Sequence, residues 1–162
     1  MKRSFYIKNK FHYKKLLYLL LITILVSFST VVLHEAGHFL FGMIFGCESV
    51  RIVLFDKNFM TTYTEIECNQ KINKILVGLS GFFLVLPVSI VLFLKKNALE
   101  KYLSIIMIGF NIAISSWDLE KIVGLANSEI IGIIGIVIIA IGEILLVERL
   151  IFKHSTLPSR HS

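Results

Sequence analysis

Four long apolar segments constrain the fold of this chain more than any other feature. They cover approximately residues 16–46, 72–94, 102–126 and 129–150. A helix of about 20 apolar residues crosses the hydrocarbon core of a bilayer, so each segment is long enough to span one. Hydrophobic residues fill 56% of the 162 positions, more than in ordinary soluble domains. We predict an all-α polytopic membrane protein with about four transmembrane helices in one domain, 16–150, whose surroundings are the lipid bilayer of the cell membrane.

The first apolar segment is longer than one span requires and too short for two. As a single helix it would measure about 46 Å, which predicts a helix that is tilted, or broken near residues 27–30. The alternative is a cleaved signal peptide, with a basic segment 1–15 and a cleavage site at 27–29. We disfavour it because the three later segments still require a membrane.

A polar stretch, 47–71, separates the first two apolar segments. Its residues 49–55 and 61–68 are rich in β-branched and aromatic side chains, and Asp56-Lys57-Asn58 between them is a turn signal. These features predict a β-hairpin at the membrane surface. The polar tail 151–162 is predicted to be disordered.

Charge is distributed unevenly along the chain. Six of the 17 Lys and Arg residues lie in the basic tail 1–15, directly before an apolar run, which favours a cytoplasmic flank and no nucleic-acid partner. Across four spans, twelve Lys and Arg fall on the side of the N-terminus and five on the other. This bias places the hairpin outside, where Cys47 and Cys68 could form a disulfide; inside, they would remain thiols.

Ionisable residues inside the first apolar segment carry the chemical signal, His34-Glu35-Ala36-Gly37-His38. Two histidines four positions apart share one helix face and can bind one zinc ion. In this HExxH pattern the glutamate acts as general base on the zinc-bound water. The alternative is two histidines hydrogen-bonded to helix carbonyls and a carboxylate paired elsewhere, which we disfavour because buried ionisable groups in a membrane are costly.

A zinc hydrolase needs a third protein ligand and an open position for water, and Asp118 is our prediction for that ligand. Asn111, Ser115 and Asp118 form one polar stripe on the third apolar segment; a hydrogen-bonded helix seam is the alternative. The first and third spans run parallel, so His34 and Asp118 lie at similar depth. A divalent cation also balances the charges of Asp118 and Glu35. The other candidate ligands are His12, His154, His161, Glu143 and Glu148.

Taken in order, these motifs resemble the site-2 protease family of intramembrane zinc metalloproteases. The resemblance rests on 34–38, on Gly46 and the strand 50–55, on Gly78-Leu79-Ser80-Gly81 and on 111–118, and it covers most of residues 16–126. It implies zinc bound by His34, His38 and Asp118, with Glu35 as base. It also implies hydrolysis of peptide bonds in or near membrane-spanning segments of substrate proteins, with the metal site nearer the cytoplasm.

The chain departs from the family pattern at two places. The third-ligand motif lacks its usual proline and reads Trp117-Asp118-Leu119, and Gly81-Phe82 stands where Gly-Pro is usual. Asn111 and Ser115 are candidates for contacts to the substrate or to an oxyanion. Two other functions remain open: a metal-binding or accessory membrane protein without turnover, and a small transporter that uses Asp118 and Glu143 as a relay.

Overall fold

The computed structural model describes residues 2–56 and 61–151. Four α-helices, two strands and a π-helical turn make up this part of the chain. In chain order they are α1 (Lys2–Ile44), β1 (Ser49–Asp56), β2 (Thr61–Glu67), α2 (Lys71–Phe93), α3 (Ala98–Asp118), the π turn (Leu119–Val123) and α4 (Ser128–Ile151). The predicted fold class, four helices with a hairpin between the first and second, is confirmed.

All four helices contain a stretch that is long and apolar enough to cross a membrane. Their outward faces carry many exposed leucines, isoleucines and valines, especially on α1 and α4. A lipid environment stabilises such faces, whereas water does not. The buried interior is correspondingly small and is rich in serine, threonine, histidine and asparagine, which is the composition that helix contacts within a bilayer favour.

The first helix is continuous, so the break considered near residues 27–30 does not occur. The hydroxyls of Ser27 and Thr30 donate to the carbonyl oxygens of Thr23 and Val26, each at 2.8 Å. These bonds to the preceding turn satisfy the hydroxyls without interrupting the helix. The backbone of residues 2–15, predicted as a separate tail, belongs to the same helix, whereas the tail predicted at 151–162 lies outside the described residues from 152 onward.

Strands β1 and β2 pair antiparallel, with Val50 opposite Ile66 and Ile52 opposite Thr64. The turn predicted at 56–58 lies outside the described residues beyond Asp56. The hairpin extends back along α1 from the helix end at Ile44. Thr64 on β2 contacts Glu35, which lies nine residues, or about 13 Å along the helix axis, before that end. The hairpin thus lies alongside the last turns of α1 and reaches the level of His34 to His38.

Glycines set the close approach of the helices. A Cβ atom added to Gly37 would lie 2.6 Å from the carbonyl oxygen of Ser80, and one added to Gly135 would lie 2.6 Å from the backbone nitrogen of Ala113. Helices α1 and α2, and likewise α3 and α4, therefore cross with their backbones in contact. Because α1 and α3 run parallel, the end of α3 lies at the same end of the bundle as the hairpin.

Candidate metal centre

Three side chains from two helices converge near the hairpin end of the bundle. His34 and His38 lie one turn apart on α1, and Asp118 is the last residue of α3. Oxygen Oδ2 of Asp118 lies 2.7 Å from Nε2 of His34 and 3.2 Å from Nε2 of His38, and the two Nε2 atoms are 3.1 Å apart. Helix packing thus brings residues 84 positions apart into contact.

The opposite ring nitrogen of each histidine is held by an acceptor. Nδ1 of His34 lies 3.0 Å from Oδ1 of Asn111, and Nδ1 of His38 lies 2.7 Å from the carbonyl oxygen of Val77. A carbonyl oxygen can only accept, so we assign the proton of each neutral ring to Nδ1. Both Nε2 atoms then present lone pairs to the carboxylate of Asp118.

Two imidazole lone pairs and a carboxylate oxygen repel one another unless a proton or a metal cation lies among them. The histidines are almost fully buried, while the Asp118 side chain is 21% exposed. Burial raises the cost of uncompensated charge, because solvent screens it poorly. Among the described residues, these three form the only group of His, Cys, Asp and Glu side chains whose ligand atoms lie close enough to hold a metal ion, all within 4.8 Å of one another.

Glu35 lies beside this group without joining it. Its side chain is buried, and its carboxylate oxygen Oε2 accepts a hydrogen bond of 2.7 Å from the Thr64 hydroxyl on β2. Strand β2 therefore contacts the buried carboxylate next to the histidines. A carboxylate next to a metal site, but outside the ligand set, is placed to exchange a proton with a bound water.

The second helix forms the wall behind His34. A Cβ atom added to Gly81 would lie 2.6 Å from Nε2 and 2.7 Å from Cδ2 of His34. The imidazole therefore lies flat against the glycine backbone, where a side chain cannot be accommodated without moving the ring. The segment Gly78-Leu79-Ser80-Gly81 lies within α2, and the absence of a side chain at Gly81 makes room for the His34 ring.

The other residues predicted for the site do not belong to the group formed by His34, His38 and Asp118. Both polar groups of Asn111 are engaged, since its Nδ2 donates to the carbonyl oxygen of Phe82 at 3.1 Å while its Oδ1 accepts from His34. The Ser115 hydroxyl is buried and has no hydrogen-bond partner among the residues that the structure describes. Glu143 accepts from Thr23 at 2.8 Å and is not in the ligand group. The side chains of His12, His154 and His161 lie outside the described part of the chain.

Sequence reasoning missed several contributors to the centre: Thr64, the carbonyl oxygen of Val77 and the contact of Gly81 with the His34 ring. It also missed the π turn that directly follows Asp118. Turns of this type occur frequently at functional sites. Of these features, only the π turn is next in sequence to a predicted site residue. A threonine on a strand does not by itself predict a contact with the HExxH segment.

No protein-family model, no curated protein and no solved structure matches this chain at a significant level.

Proposed function

We propose that this protein is an intramembrane zinc metalloprotease of the site-2 protease type, embedded in the cell membrane as a multi-pass protein. The observation that carries the proposal is the convergence of two Nε2 lone pairs and one carboxylate oxygen beside a separate buried glutamate. That arrangement would supply three protein ligands and a general base, and a zinc ion with three protein ligands keeps its fourth position for water, which is the composition of a catalytic zinc site.

The donor set suits zinc. Imidazole nitrogen and carboxylate oxygen are both zinc ligands with bonds of about 2.0–2.2 Å, which for a tetrahedral ion separate the ligand atoms by roughly 3.3 Å. The observed separations of 2.7, 3.1 and 3.2 Å need to open by at most about 0.6 Å to reach that value. The hydrogen bonds from each Nδ1 supply the outer partners that orient histidine ligands.

Each residue of the centre then has a distinct role. His34, His38 and Asp118 would hold the ion, which supplies Lewis acidity and makes a water molecule reactive at neutral pH. Glu35 would remove a proton from the attacking water and deliver it to the leaving amine of the cleaved peptide bond. The Ser115 hydroxyl, which has no hydrogen-bond partner in the described part of the chain, would donate to the substrate or to the developing oxyanion.

The hairpin suits an extended substrate. A transmembrane helix hides its peptide bonds in its own hydrogen bonds, so a protease must first unwind the segment that it cuts. A strand placed alongside the centre can hold an unwound segment as an added β-strand, and β2 lies there through its contact with Glu35. The substrate class is therefore a membrane protein, or a peptide released from one.

A panel of single-span transmembrane peptides, each with a fluorophore and quencher on either side of the span, tests this function in proteoliposomes. Wild type should cleave at least one peptide, and a zinc chelator should stop the reaction. Glu35→Gln should keep its zinc while turnover falls about 10²–10⁴-fold, because general-base catalysis is lost and the ligands are untouched.

Two results would contradict the proposal. Zinc loss in Glu35→Gln as large as that in His38→Ala would make Glu35 a ligand or a structural residue. Cleavage that persists unchanged in Glu35→Gln would assign the activity to a contaminant and favour the alternative, a metal-binding accessory protein without turnover.

A further inference from the structure

The Thr64 hydroxyl makes two contacts, both to Glu35. It lies 2.7 Å from the carboxylate oxygen Oε2 and 3.2 Å from the backbone carbonyl oxygen of the same residue. A hydroxyl has one proton to donate, so the shorter contact is the main hydrogen bond. Hydrogen bonds to a charged acceptor are also the stronger kind.

The hairpin is anchored without this hydrogen bond. A disulfide joins Cys47 to Cys68 at its base, and the amide of Glu48 donates to the carbonyl oxygen of Glu67 at 2.8 Å. On β1, the side chain of Val50 packs on Gly42 of α1, where an added Cβ would lie 2.9 Å from it. Removing the Thr64 hydroxyl should therefore leave the hairpin in place. The hydrogen bond from Thr64 to Glu35 is not needed to anchor the hairpin.

We propose that Thr64 is a positioning residue for Glu35. By donating to Oε2 it fixes the rotamer of the carboxylate and leaves Oε1 to exchange the proton, so that the hairpin that would receive the substrate also aligns the base. The inference rests on the proposed function, because it gives Thr64 a role only if Glu35 acts on a metal-bound ligand.

Acetohydroxamate binding to the Co²⁺-loaded protein tests this role without a substrate. A hydroxamic acid loses a proton when it chelates the metal, and Glu35 beside the metal would accept that proton. Binding is followed through the visible spectrum of Co²⁺. Thr64→Val removes the hydroxyl at constant shape, Thr64→Ser restores it, and Thr30→Val is a matched control that deletes a buried hydroxyl bonded only to its own helix.

All of these variants should bind Co²⁺ with wild-type affinity, because no ligand changes. Thr64→Val should bind acetohydroxamate roughly tenfold more weakly, because a Glu35 carboxylate that is not held in place forfeits its own hydrogen bond to the bound hydroxamate, the effect of about one hydrogen bond to a charged group. Thr64→Ser and Thr30→Val should bind it as wild type does. In a Glu35→Gln background, Thr64→Val should cause no further loss, since residues that act through one another are not additive.

Each other outcome overturns the inference. Equal acetohydroxamate affinity in Thr64→Val and wild type would show that Glu35 is aligned without Thr64. A loss that persists in the Glu35→Gln background, or a loss of Co²⁺ itself in Thr64→Val, would make Thr64 purely structural. Failure of the wild type to bind Co²⁺ would overturn the proposed function and this inference with it, a result that is distinct from the first two.

Discussion

At the scale of single residues, the orientation of the two histidines is set by the ring nitrogens that point away from Asp118. Nδ1 of His34 and Nδ1 of His38 donate to acceptors on two different helices, Asn111 on α3 and the carbonyl of Val77 on α2. Each bond selects the tautomer that presents Nε2 to the carboxylate of Asp118 and restricts ring rotation. The geometry of the site is therefore imposed by its neighbours, and removing one of them should weaken metal binding without removing a ligand.

Asn111→Ala tests this effect. It leaves Nδ1 of His34 without its acceptor in a buried position, so we expect zinc affinity to fall about 10–100-fold, the usual effect of losing an outer partner. Competition with a chromophoric chelator measures the affinity. Ser104→Ala is the matched control, because it deletes a buried hydrogen bond from the same helix to the carbonyl of Ser89, away from the site. Equal affinity in Asn111→Ala and Ser104→Ala would contradict this role.

At the scale of secondary-structure elements, the crossing of α1 and α2 determines whether the site can form. Gly37 lies within the histidine motif and packs on Ser80 and Gly81, and Gly81 in turn packs on the His34 ring. A methyl group at Gly37 would meet backbone atoms of α2, which cannot move aside as side-chain ends do. A methyl group at Gly81 would meet the buried His34 ring, which is held by Asn111 and would have to leave its place in the centre.

Gly81→Ala should accordingly abolish stoichiometric zinc binding although it changes no ligand and no hydrogen-bonding group. Gly132→Ala is the control, since its added methyl group would meet the hydroxyl end of Ser116, which can rotate away. Zinc content of the purified variants measures the difference. A Gly81→Ala variant with a full complement of zinc would show that the helices separate more easily than their packing indicates.

The elements were largely predictable because hydropathy and turn signals are local. The four spans and both strands follow from these local signals. The start of α3 was predicted four residues too late: the side chain of Asn97 accepts from the amide of Leu99 and caps a helix that begins at Ala98. In the centre, the spacing of His34 and His38 and the polar stripe ending at Asp118 were readable. The contacts of Thr64, Val77 and Gly81 were not, since they depend on how distant segments pack.

At the scale of the whole molecule, two observations concern the orientation in the membrane. The structure joins Cys47 and Cys68 in a disulfide, and disulfides persist in oxidising compartments. The excess of Lys and Arg lies on the side of the N-terminus, which the positive-inside rule places in the cytoplasm. Both favour an external hairpin, with the centre toward the outer face, opposite to the orientation that the family resemblance implies.

Maleimide labelling decides between the two orientations. A membrane-impermeant maleimide should reach Cys47 and Cys68 in intact cells only after treatment with a reductant, because outside the membrane the two sulfurs are accessible but bonded to each other. Gel-shift of the labelled chain gives the measurement. Labelling that needs broken cells and no reductant would place the hairpin in the cytoplasm and overturn the charge-based orientation.

The central claim is that His34, His38 and Asp118 together hold a zinc ion, and zinc content per chain tests it most directly. The protein is purified in detergent without added chelator, and the metal is measured by mass spectrometry against protein concentration. Wild type should contain about one zinc per chain, as a site with three protein ligands does; His34→Ala and Asp118→Ala should lose it, and Glu143→Ala should keep it. Zinc that is retained in Asp118→Ala and lost in Glu143→Ala, or absent from the folded wild type, would contradict the account.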